Sequence, residues 1–146
     1  MLDIVNPAPQ KAIVLVDDER SYTDLMSQML AENLDCTVHA FTRPLEALRV
    51  LPQLTPAVVV TDYYMPQLTG LELIVRARAL NPGLPFLIIT GHGMHLSEED
   101  FSHLPELRAV LHKPLGWRQL ADAIVTHWPR ASRVVKTEAG AGVFLP

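Results

Sequence analysis

Five polar side chains stand where buried apolar runs stop. Asp17 and Asp18 follow AIVLV, Asp62 ends VVVTD, Thr90 follows LPFLII, and Lys113 closes LRAVLHK. If the runs are neighbouring strands, these ends meet at one rim. Two carboxylates about 4 Å apart repel by about 4 kcal/mol at an effective dielectric of about 20, so three acids gathered there require positive charge. Lys113 supplies one ammonium, and a hard divalent ion with oxygen ligands supplies the rest. Mg²⁺ suits the set, because it takes one or two carboxylates, a carbonyl and several retained waters and leaves room for phosphate oxygens.

The elements that must hold these groups can be read from apolar spacing. The runs AIVLV, CTVHAF, AVVV, LPFLII and LRAVL read as five strands. All but CTVHAF lack the polar alternation of a half-exposed strand, as a parallel sheet covered on both faces demands. CTVHAF alternates and so reads as an edge. Between Glu19 and Asn33, residues Tyr22, Leu25, Met26, Met29 and Leu30 recur at the three-and-four spacing of one helical face. A second helix carries Leu45, Leu48 and Leu51, with Pro44 in its first turn. A third, after Gly70, offers Leu71, Ile74 and Val75. Ser97 and Asp100 start a short fourth that Pro105 closes, and Trp117, Leu120, Ala121, Ile124 and Trp128 face a fifth. Strand and helix alternate, so right-handed crossovers give an α/β fold: a doubly wound, five-stranded parallel sheet with five helices. Ligands of such sheets bind beyond the carboxyl ends of the strands, where the five polar groups stand.

In this order and spacing, LVDDE, VVVTDYYMP, LIITG and LHKP resemble the receiver domain of two-component response regulators, from about Lys11 to Trp128. The resemblance implies a flavodoxin-like sheet of order 2-1-3-4-5. It implies that Asp62 accepts a phosphoryl group from a phosphohistidine on a histidine kinase or histidine phosphotransfer protein. Asp18 and Asp62 would hold Mg²⁺ directly, Asp17 mainly through an intervening water, and Tyr64 through its backbone carbonyl. Thr90 and Lys113 would be the catalytic pair, each holding a phosphoryl oxygen. The Lys113–Pro114 peptide would be cis. These roles fit phosphoryl transfer, which needs positioning and neutralisation of spread oxygen charge more than covalent help. Taken singly, Asp17 and Asp18 read as helix caps, and Asp62 and Thr90 as turn residues; their conjunction argues otherwise.

Several features depart from the family pattern. The position three before Lys113, usually aromatic, is Val110, so a signal is expected to travel through the 91–96 loop or the short fourth helix. Tyr64 and His92 fall at the positions that, by the resemblance, flank the route of the hydrolytic water, and both are bulky. An aspartyl-phosphate phosphatase would want an acid at Tyr64, and a nucleotide switch would need a Gly-Lys-Ser/Thr phosphate loop; neither is present. A pseudo-receiver acting purely as a protein-interaction module is the alternative reading, but such a chain normally loses an acid, the threonine or the lysine. His92 and His95 lack a third soft ligand, so a zinc site is not expected there.

Composition narrows the remaining classes. The 146 residues are 49% hydrophobic and 19% charged, with 16 acids against 12 bases and no block of like sign. Direct nucleic-acid binding is therefore not expected. The single cysteine, Cys36, allows no internal disulfide and reads as a small buried residue on a strand. No run reaches the roughly 18 apolar residues of a membrane span, and no cationic-then-apolar leader opens the chain; a cytoplasmic protein without membrane insertion is expected. Residues 1–10 read as a flexible segment, 11–128 as the receiver domain, and 129–146 as a tail too short for an output domain. Signalling through a downstream target protein or onward relay follows from that organisation.

Overall fold

The computed structural model describes residues 11–91 and 101–129. Five strands, β1 (Ala12–Val16), β2 (Thr37–Phe41), β3 (Val58–Asp62), β4 (Phe86–Thr90) and β5 (Leu107–His112), form one parallel sheet ordered β2-β1-β3-β4-β5. Four helices lie among the described residues: α1 (Arg20–Asn33), α2 (Pro44–Leu54), α3 (Gly70–Leu80) and α4 (Trp117–His127). The further helix expected between Ser97 and Pro105 starts on residues 97–100, outside the described residues. The 1–10 segment, the 130–146 tail, and His92 and His95 also lie outside them.

Strand alternation divides the core in two. Ile13, Leu15, Val58, Val60, Leu87 and Ile89 pack with Met26 and Leu30 of α1 and with Leu120, Ala121 and Ile124 of α4. Val14, Val16, Val59, Phe86 and Ile88 pack on the other face with Ala47 and Leu51 of α2 and with Leu73, Ile74 and Ala77 of α3. Because helices cover both faces, β1, β3 and β4 are buried along their whole length, which is why their sequences show no polar alternation. β2 is an edge, and its residues are half-buried or exposed.

Helical faces depart from the simplest apolar reading. On α1, Leu25 is 53% exposed while Thr23 is buried; the Thr23 hydroxyl lies 2.9 and 2.8 Å from the carbonyl oxygens of Asp17 and Glu19, which draws that side of the helix against the sheet. On α3, Val75 is 49% exposed, and Gly70, Leu73, Ile74 and Ala77 form the buried stripe. Leu45 of α2 is likewise exposed, with Ala47 and Leu51 inside. Cys36 precedes β2 and is half-buried, so it is a packing neighbour of the core instead of a strand residue within it. Burial, aided by the Asp35 charge, pushes its thiol up to about 11.

The start of α3 fixes the backbone below Asp62. Thr69 caps the helix by accepting from the Glu72 amide at 3.2 Å, and the Glu72 carboxylate accepts from the Thr69 amide at 3.1 Å. The Gly70 amide then donates to the Tyr63 carbonyl at 2.7 Å. A Cβ on Gly70 would stand 2.7 Å from the Asp62 carbonyl oxygen and 3.3 Å from Thr61 Cγ2. Both the helix start and the strand end are backbone held on two sides, so neither yields cheaply. Gly70→Ala should cost about 1–3 kcal/mol, the range for inserting a methyl into a packed site, as measured by urea unfolding; an unchanged midpoint would show that α3 shifts freely.

Candidate functional site

The polar residues at the strand ends inherit their direction from strand alternation. Asp17 continues the Ile13, Leu15 series, Asp62 the Val58, Val60 series, and Lys113 the Ala109, Leu111 series; all of these apolar residues belong to the cluster facing α1 and α4. Backbone hydrogen bonds run on past the strands to hold the rim. The Asp17 amide donates to Phe41 O at 3.1 Å, Tyr63 N to Ile89 O at 2.9 Å, and Lys113 N to Thr90 O at 2.8 Å. The acids are thus set on rigid backbone before any side chain interacts.

Lys113 Nζ lies 3.3 Å from Asp17 Oδ2 and 3.7 Å from Asp62 Oδ2. Asp17, Asp18 and Asp62 each offer an oxygen, and these oxygens lie within 4.8 Å of one another. The remaining Asp17 oxygen, Oδ1, accepts from the Glu19 amide, and Asp62 Oδ1 accepts from the Tyr63 amide, both at 2.9 Å. Asp17 and Asp62 are buried, whereas Asp18 is exposed. Burial, then the neighbouring Asp17 charge, pushes Asp62 up to about 6 against the pull of Lys113. Asp17 is also raised, chiefly by burial. Burial alone would lower Lys113, but the charges of Asp17 and Asp62 outweigh it and carry its pKa up.

The donor set fits a small hard cation. All three side chains are carboxylates, one of them open to solvent, and three such charges crowd a single ammonium. Oxygen ligands with an exposed side are what Mg²⁺ takes, since it keeps part of its water shell.

Thr90 stands at the same rim with its side chain fully buried, but it continues the Phe86, Ile88 series, which packs on the opposite face. Its hydroxyl contacts His112 Nδ1 at 3.0 Å and the Leu111 carbonyl at 3.4 Å. Tyr64 follows the Asp62 strand end, 62% exposed as a residue, with its ring edge-on to Tyr63 at 4.9 Å between centroids. Val110 is partly buried against the α2 and α3 face. Lys113–Pro114 is cis.

The part that three residues play at the rim escaped sequence reasoning, although Tyr22 was placed on a helical face and Gly70 just before a helix. Tyr22 puts its ring 5.1 Å from Lys113 Nζ, a cation–π distance; burial and the Asp17 and Asp62 charges push its hydroxyl up to about 12. Gly70 permits the close approach at Asp62, and the T-x-x-E capping pattern at Thr69 was its visible signal. His112 has no local signal, because its partner is on another strand.

A sequence family, the response regulator receiver domain, matches residues 13–125. The transcriptional regulatory protein FixJ of Bradyrhizobium diazoefficiens is 31% identical over 135 residues, covering 87% of this chain and 61% of FixJ. The C4-dicarboxylate transport transcriptional regulatory protein DctD of Rhizobium meliloti is 38% identical over 82 residues, covering 56% of this chain and 18% of DctD. The chain therefore spans less than two thirds of these relatives. Among solved structures, a response regulator receiver domain protein (CheY-like) from Methanospirillum hungatei superposes with a TM-score of 0.68 at 28% identity, covering 79% of this chain and 90% of that one. A response regulator receiver domain protein from Clostridium thermocellum, at 24% identity, shares the fold with a TM-score of 0.69, over 80% and 93% of the two chains.

The position of Asp62 gives the site a defined pH dependence. Its folded-state pKa of about 6 lies above the ordinary 3.8, so holding it ionised weakens the fold. That penalty is fully present above about pH 6, shrinks as pH falls, and is gone below the ordinary value. Asp62→Asn should raise the Tm of the metal-free protein by a few degrees near pH 7.5, with the gain fading toward about pH 4. Melting curves in chelator at the two pH values check this; an equal gain at both would assign the effect to packing.

Proposed function

Because the chain belongs to the response regulator receiver family, we propose that it accepts a phosphoryl group on Asp62 from the phosphohistidine of a histidine kinase or histidine phosphotransfer protein. The observation that carries this reading is the cluster itself: three carboxylates within 4.8 Å of one another with Lys113 Nζ against two of them. An Asp62 carboxylate oxygen attacks phosphorus, the P–O bond forms as the donor's P–N bond breaks, and the imidazole leaves with its partner protein. Asp62 Oδ1 is held by the Tyr63 amide and Oδ2 lies on the Lys113 side, so both oxygens are oriented before a donor arrives. Lys113 then moves its charge from Asp62 to a phosphoryl oxygen without changing place. Tyr22 holds the lysine from its apolar side, and Thr90 offers its hydroxyl to a second phosphoryl oxygen.

Asp18, Asp62 and the Tyr64 carbonyl would hold Mg²⁺, with Asp17 acting through water. When bound, the ion neutralises the carboxylates and the oxygen charge of the transferring group. The phosphorylated domain signals by binding a downstream protein or relaying the group onward. No helix among the described residues is long and apolar enough to cross a membrane.

Acetyl phosphate with Mg²⁺ should add one phosphoryl group, seen by prompt intact-mass measurement, and Asp62→Asn should abolish the addition. An unmodified wild type would instead support a domain that acts purely as an interaction module. Rising Mg²⁺ should raise the Tm of the unphosphorylated protein by mass action, and much less so in Asp18→Ala; equal shifts would place the ion elsewhere.

A further inference from the structure

The Thr90 hydroxyl is committed before any phosphoryl group arrives. Thr90 and His112 are cross-strand partners in the β4–β5 register, and the Thr90 side chain is fully buried. A buried hydroxyl proton requires an acceptor. Two are in reach: His112 Nδ1 at 3.0 Å and the Leu111 carbonyl at 3.4 Å. The second is long for a hydroxyl bond, so Nδ1 is the better acceptor, a role it takes when the ring proton sits on Nε2. The opposite arrangement, with Nδ1–H donating to Thr90, would leave the hydroxyl proton to the poor contact alone.

A hydroxyl has one proton to give. Given to His112, it is withheld from Asp62. We propose that His112 is a positioning residue for Thr90: it holds the hydroxyl on β5 in the unphosphorylated protein and releases it when Asp62 carries a phosphoryl group. The inference rests on Asp62 being the phosphoacceptor. The geometry supports exchange of partners, not simple packing. His112 is exposed, at the end of the outermost strand β5, and Lys113 follows it directly. Its ring therefore has room to turn when Thr90 leaves, and its state differs between the two forms of the protein at a surface that a partner can reach. Val110, two residues earlier on the same strand face, has no polar atom to offer the hydroxyl.

The test combines a kinetic cycle with a direct view of the ring. In His112→Val the hydroxyl loses its better acceptor, and phosphorylation by acetyl phosphate with Mg²⁺, followed by intact mass, should speed up about three- to tenfold, the factor carried by one net hydrogen bond. His112→Asn, whose side-chain oxygen can take the place of Nδ1, should restore the wild-type rate. On a Thr90→Val background both changes should have no effect. In the wild type, the ¹⁵N resonance of His112 Nδ1 should move when the mass shows Asp62 phosphorylated. Acceleration that persists on the Thr90→Val background, or an Nδ1 resonance unmoved in fully phosphorylated protein, overturns the role of His112 while leaving the phosphoacceptor assignment intact. Absence of any mass gain in wild type overturns both.

Discussion

The Lys113 ammonium, held between Asp17 and Asp62, is the interaction on which the rim depends. At 3.3 and 3.7 Å it touches both buried carboxylates, and it is the lone cation in contact with them among the described residues. Without it, two acids taken out of water would face each other with no counter-charge, a situation that costs several kcal/mol in real proteins. Its own position depends on parts remote in sequence. The β5 strand delivers its amide to Thr90, α1 supplies the Tyr22 ring, and the Asp17 carboxylate is oriented by the Glu19 amide. The cluster therefore reports on the correct docking of β1, β3, β5 and α1 at once.

Crowded acids oppose folding, and two apolar clusters offset them. The penalty is local, while the sheet is buried through β1, β3 and β4 on both faces. Each fully buried aliphatic side chain contributes about 1.5–3 kcal/mol, so a handful outweighs the strain at the rim. The upward shift of Asp62 is the visible mark of this arrangement. It describes a site whose electrostatics improve when a cation binds and whose Asp62 sits on backbone that cannot retreat, because Gly70 closes against its carbonyl. Stability is given up at Asp62, and perturbed pKa values of this kind cluster at functional sites.

Thr90 shows how one residue of strand parity separates groups that share a rim. Asp17, Asp62 and Lys113 follow the series buried under α1 and α4, while Thr90 follows the series under α2 and α3. Because side chains alternate with period two, the threonine is directed to the other face and finds His112. In the proposed transfer, Thr90 would have to change partner to reach a phosphoryl oxygen, whereas Lys113 already lies against Asp62.

Much of this was legible in the sequence because it rests on local rules. Unalternating runs between helical periods specify a doubly wound parallel sheet, and polar residues closing those runs specify which groups reach the rim; LVDDE, VVVTDYYMP, LIITG and LHKP carried the resemblance that fixed strand order and family. The edge character of β2 followed from its alternation. What could not be read were contacts between residues distant in the chain. The buried side of α1 passes through Thr23 and not Leu25, because a hydroxyl finds two carbonyls there. Tyr22 meets Lys113 across 91 residues, and Thr90 meets His112 across 22. By itself the sequence determined the elements, their order and the chemical types at their ends, since backbone geometry and periodicity act over a few residues. The tertiary structure alone decided which oxygen faces which nitrogen, since those distances depend on register, strand parity and helix docking, which no local window contains.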